Sequence, residues 1–138
     1  MKGILLTLVI VVIGTNACLS QEDPANFQKF WTDFREAVLK NDTSKIVSFT
    51  KLPIRTRGPI DSDPEIKYGR KQFIKVFMDF LEMPTGTNVN DFNERQIDLI
   101  RKTETLDPKT LNYRIGDMKF DCIKGQWKLV FIYYWVIK

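Results

Sequence analysis

The sequence predicts an α+β domain, with helices first and a curved antiparallel sheet after them. Three observations carry this. Phe27, Phe30, Trp31, Phe34 and Val38 recur at helical spacing, as do Phe73, Val76, Phe77, Phe80 and Leu81, so each of two helices offers one apolar stripe. From Glu94 onward apolar residues alternate with polar ones, which is the period of a strand. The stretch from Gly125 to Val136 is too dense in β-branched and aromatic residues to read as a helix. Helices followed by a run of strands point to helices layered on one face of an antiparallel sheet.

At the N-terminus, Met1-Lys2 precede an apolar run, Gly3 to Gly14, that is too short to span a bilayer comfortably and gives way to small and polar residues. Residues 1–20 therefore read as a secretory signal, and residues 21–138 as one mature domain outside the cytosol, secreted or periplasmic. Thr15-Asn16-Ala17 and Cys18-Leu19-Ser20 both present small residues to a signal peptidase, so the mature chain is expected to begin between Cys18 and Gln21. Thr15-Asn16-Ala17-Cys18 also resembles a bacterial lipobox, with Thr15 in place of the usual leucine. Lipidation of Cys18 would anchor the domain to a membrane.

Asp23-Pro24 supplies an N-cap and a first-turn proline for the first helix. Asn41-Asp42 stops that helix, and Asp42 can cap a short second one carrying Ile46, Val47 and Phe49. Leu52 to Pro59 reads as an extended segment whose prolines keep it from the middle of a sheet. Arg55 and Arg57 share one side of it. They could clamp a carboxylate or phosphate, although solvated charges guarding a sheet edge are the commoner use. The second long helix covers roughly residues 70–82 and ends at Met83-Pro84-Thr85-Gly86; Thr87 to Asn93 reads as a polar loop.

Ile97 and Leu99 then alternate with Gln96 and Asp98 in a strand expected to reach Glu104, followed by a turn at Asp107-Pro108-Lys109-Thr110. Leu111, Tyr113 and Ile115 have odd parity, whereas Met118, Phe120 and Cys122 have even parity. A β-bulge at Gly116-Asp117 accounts for the shift, and a Gly-Asp hairpin turn is the alternative. Lys124-Gly125 turns the chain into the last strand. There Trp127, Leu129, Phe131, Tyr133 and Trp135 share one face, and Lys128, Val130, Ile132, Tyr134 and Val136 the other.

Composition narrows the chemistry. The chain has 138 residues, enough for one domain with a hydrophobic core. Its net charge of +4 is scattered, with Arg70-Lys71 the longest basic cluster, so nucleic acid is not an expected partner. Histidine is absent, which removes His-based triads, His general bases and nearly all zinc enzymes. Asp61-Ser62-Asp63-Pro64 lacks calcium-loop spacing, and no metal or cofactor is assigned. Of the two cysteines, Cys122 reads as a buried, inert thiol.

The segments Phe30-Trp31-X-X-Phe34-Arg35-X-Ala37-Val38-X-X-Asn41-Asp42, Lys51-Leu52-Pro53 and Gly125-X-Trp127-Lys128-Leu129 resemble the small secreted members of the nuclear transport factor two-like (SnoaL-like, cystatin-like) superfamily. The resemblance implies a cone-shaped roll with a pocket between sheet and helices, and frequent pairing through the sheet. Enzymes of that superfamily place an Asp, often beside a Tyr or His, in the pocket. Here Asp98 opposes Ile97 and Leu99 in parity, and Asp121 opposes Phe120 and Cys122, so both are expected to point away.

The pocket is accordingly expected to be lined by Trp31, Phe34, Phe77, Met118, Phe120, Phe131, Tyr133 and Trp135. The expected function is a non-catalytic domain outside the cytosol, taking a small apolar ligand or a protein partner. One alternative is an isomerase- or dehydratase-like enzyme using Tyr113 or Tyr133 with a carboxylate. Another is a purely structural envelope partner domain. On any of these readings, the sheet face carrying Val130, Ile132 and Tyr134 is expected to be buried in a homodimer.

Overall fold

The computed structural model describes residues 24–86, 93–107 and 112–136. The leader 1–20, the cap at Asp23, the loop residues 87–92 and the Pro108–Thr110 part of the expected turn lie outside them. The fold is α+β. Its elements run α1 (Pro24–Leu39), α2 (Thr43–Ser48), β1 (Thr50–Arg57), β2 (Ile66–Tyr68), α3 (Arg70–Leu81), α4 (Gln96–Lys102), β3 (Arg114–Ile115), β4 (Met118–Ile123) and β5 (Gln126–Tyr133). The strands form one open sheet in the order β2-β1-β5-β4-β3.

Both apolar stripes are buried where the helical period places them, Phe27 to Val38 on α1 and Phe73 to Leu81 on α3. Asp42 caps α2 by accepting the Lys45 backbone N–H at 3.1 Å. Lys124 and Gly125 have φ of +49° and +81°, the left-handed pair that a two-residue hairpin turn requires.

Several expectations are corrected. The strand expected across Gln96–Glu104 is the helix α4. Over so short a window Ile97, Leu99 and Ile100 fit either period, and tertiary contacts decide between them. Trp31 Nε1 donates to the Thr103 carbonyl (2.8 Å), and Arg35 donates to the carbonyls of Ile100 (3.0 Å) and Arg101 (2.6 Å). These are the C-terminal acceptors that a short helix leaves without partners of its own.

The segment with Pro53 is an interior strand, not an edge, lying between β2 and β5. Proline fits there because the β1–β5 register is interrupted between Thr50 and Arg55, and β2 pairs only Ile54 to Thr56. β1 also runs parallel to β5, which makes the sheet mixed. The crossover through α3 and α4 supplies the length a parallel pair needs.

The parity change at Gly116-Asp117 is a hairpin turn, with Ile115 paired to Met118. The bulge lies further on, where Lys119 faces Phe131 but Phe120 faces Leu129. It inserts Val130 into β5 and shifts every later side chain to the opposite face. The inward phase held by Trp127 and Leu129 therefore resumes at Ile132, which is fully buried, instead of at Phe131. Finally, Cys122 is half-buried and disulfide-bonded, not an inert thiol.

Candidate functional site

The structure separates the expected pocket residues into three groups. Trp31, Phe34, Phe77, Met118 and Phe120 come together in the core between sheet and helices. They fill that space. Phe34 meets Phe120 at a ring separation of 5.5 Å, Trp31 at 6.0 Å and Phe77 at 6.2 Å, which is ordinary aromatic packing. Trp135 follows β5, packs partly against the core, and borders a shallow cleft with Tyr68, Tyr134 and Val136.

Phe131 and Tyr133 point to the helix-free face of the sheet, because the Val130 bulge turns them there. Cations meet their rings. Lys119 Nζ lies 5.2 Å from each ring centroid, the Arg55 guanidinium 5.9 Å from Phe131 and the Arg114 guanidinium 4.8 Å from Tyr133. The strip on which a sheet-face homodimer was expected is not assembled either. Ile132 is in the core, and Tyr134 packs beside it on the helix side against Tyr68.

A cleft of about 710 Å³ opens where α1, the end of α2 and the β4–β5 turn meet. Phe30, Phe49 and Trp127 form its apolar wall, and Lys29, Asp33, Gln126 and Lys128 its polar rim. Lys29 and Asp33 pair across one turn of α1 at 3.4 Å, and Lys128 donates to the Ser48 carbonyl. Trp127 is braced by Tyr113 (4.5 Å) and Phe27 (4.7 Å). Its indole N–H is buried and has no acceptor among the described residues. A buried donor without a partner is uncommon enough to need an explanation. The aromatic wall was legible as an apolar stripe and a strand parity. That it borders a cleft was not, because α2 and the hairpin turn come to it from distant parts of the chain.

Among the described residues, the one carboxyl that burial raises above its ordinary value is Asp117, against the pull of Arg114 and Gln96. A raised carboxyl suggests acid–base work, but this one is engaged structurally. The fully buried Gln96 donates to it at 2.7 Å and to the Pro84 carbonyl at 3.1 Å, and Arg114 donates at 3.2 Å. The network fastens α4 to the β3–β4 turn, and Asp117 borders none of the clefts described above. Among the described residues no hydrogen bond joins a carboxylate to a tyrosine hydroxyl, and no cluster of metal-ligating side chains forms. No described helix is long and apolar enough to cross a membrane.

Compared with family models, curated proteins and solved structures, the chain matches none.

Proposed function

We propose that this chain is a non-catalytic binding domain working outside the cytosol, with the α1–β5 cleft as its small-ligand site. The observation that carries the reading is the buried, unsatisfied indole N–H of Trp127 in a wall that is otherwise aromatic. The ligand that fits is small and amphipathic, with an apolar body for Phe30, Phe49 and Trp127, an acceptor for the indole, and an anionic end for Lys29 and Lys128. This replaces the wholly apolar ligand expected from the sequence. Helices-first order and an open mixed sheet support keeping the nuclear transport factor two-like reading as part of the proposal.

Two features support the compartment. The leader has the composition of a secretory signal, and a disulfide at Cys122 belongs to an oxidising environment. The test of the site is titration of the purified protein with anilinonaphthalene sulfonate, an amphipathic anion. Saturable binding that quenches tryptophan emission and weakens in Phe49→Ala is expected. Absence of saturable binding, or binding indifferent to Phe49→Ala, would overturn the assignment.

A further inference from the structure

The geometry points to a second binding surface, distinct from the cleft: the helix-free face of the sheet docks an acidic protein segment through Arg57 and Lys119. Arg55, Phe131, Lys119, Tyr133 and Arg114 alternate cation and ring in one row across the sheet from β1 to β3. Phe131 and Tyr133 themselves meet edge to face at 4.9 Å, so the row is held in place from inside. The row's ends are neutralised. Glu65 accepts from Arg55 at 2.9 and 2.8 Å, and Asp117 accepts from Arg114.

Its middle is not. Lys119 and Arg57 make no ion pair with any described acidic group, and Arg57 Nε is buried without an acceptor. The positive charge of Arg57 is therefore held on this face without a described carboxylate paired to it. The surface therefore carries positive charge that no ion pair among the described residues balances, the complement of Asp and Glu side chains.

The same geometry argues against other occupants. Single-stranded nucleic acid binds by stacking bases on open rings, but Phe131 is only 8% exposed beneath its cations. Two copies of this chain meeting through the face would bring Lys119 and Arg57 against their own kind, which is repulsive.

The test is titration of the purified protein with fluorescently labelled poly-L-glutamate, with oligothymidylate and phosphatidylserine vesicles as rival probes. Saturable binding of polyglutamate is expected, lost at about 0.5 M salt through screening. Arg57→Met and Lys119→Met should each weaken it roughly threefold to tenfold, and Lys71→Met on α3 should not. Methionine keeps an aliphatic cover over the rings. Should either variant unfold, the acetylation rate of Lys119 in the unaltered protein gives the same answer: polyglutamate should protect it and leave Lys71 reactive. No binding, no protection of Lys119, or a preference for oligothymidylate or vesicles would overturn the proposal. Lys29 and Lys128 on the cleft rim can also attract an anion, so dependence of binding on Arg57 and Lys119, not binding alone, separates this proposal from the small-ligand reading.

Discussion

Gly116 has a φ of +54°, and a Cβ there would lie 2.6 Å from Leu99 Cδ2 and 2.7 Å from Gln96 Oε1. Glycine is needed at this turn both for its backbone and for the close approach of α4. Gly116→Ala is expected to cost about 1–3 kcal/mol, read as a lower denaturant midpoint with an unchanged m-value. The next residue, Asp117, titrates in the opposite sense from a typical paired carboxylate. Its folded pKa is raised by burial, so its contribution is fully present below the ordinary Asp value and is lost as pH rises through the folded value. Asp117→Asn should therefore gain on the unaltered protein as pH is raised from acid to neutral. A gain on lowering the pH would contradict the assignment. Cys122 carries a prediction about processing. Cys18 is the only other cysteine in the sequence. On the proposed secretory reading, cleavage after Ala17 would keep Cys18 in the mature chain, and lipidation would consume its sulfur. Non-reducing peptide mapping of the protein from its natural host is then expected to find Cys122 linked to an N-terminal peptide starting at Cys18. An acylated Cys18 or a free Cys122 thiol would refute this.

At the scale of elements, α4 depends on α1. A helix of seven residues has little stability of its own, and Trp31 and Arg35 supply partners for its last carbonyls. Removing that donor in Arg35→Met should cost about 1–3 kcal/mol. Hydrogen exchange should show the amides of α4 losing protection while those of β5 keep theirs. Loss of protection spread evenly over both would mean that Arg35 acts on the whole fold instead. The register of β5 is likewise set by its neighbours. β4 fixes the Val130 bulge, and the bulge decides which aromatic side chains face the helices and which meet the cations.

Across the whole molecule, Phe34 is the side chain most layers share. Fully buried, it meets Phe30 and Trp31 on α1, Phe49 after α2, Phe77 on α3 and Phe120 on β4. Truncation in Phe34→Ala removes one ring from all of these contacts and leaves a cavity that the rigid sheet cannot close. The expected loss is about 3–5 kcal/mol, measurable by urea denaturation, against a smaller loss for Phe34→Leu, which keeps more of the apolar volume. Similar losses for both would show that the site depends on ring shape more than on filled volume.

The sequence alone determined the α+β class, both aromatic helices, the Asp42 cap and the Lys124-Gly125 turn. Each rests on a local rule: periodicity, a side chain bonding its own backbone, or a left-handed turn. That Trp31, Phe34, Phe77, Met118 and Phe120 face the core was legible for the same reason, although there they fill the space in which a pocket was expected. What only the tertiary structure decided depends on residues far apart in the chain. α4 is a helix because α1 supplies its missing donors. Pro53 sits inside the sheet because β2 and β5 leave that position unpaired. Phe131 and Tyr133 leave the core because one inserted residue, Val130, reverses the parity of a strand whose two faces are both apolar enough to be buried. A strand amphipathic on neither side cannot declare its register by composition, and only its pairing with β1 and β4 could fix which face met the helices and which took the cations.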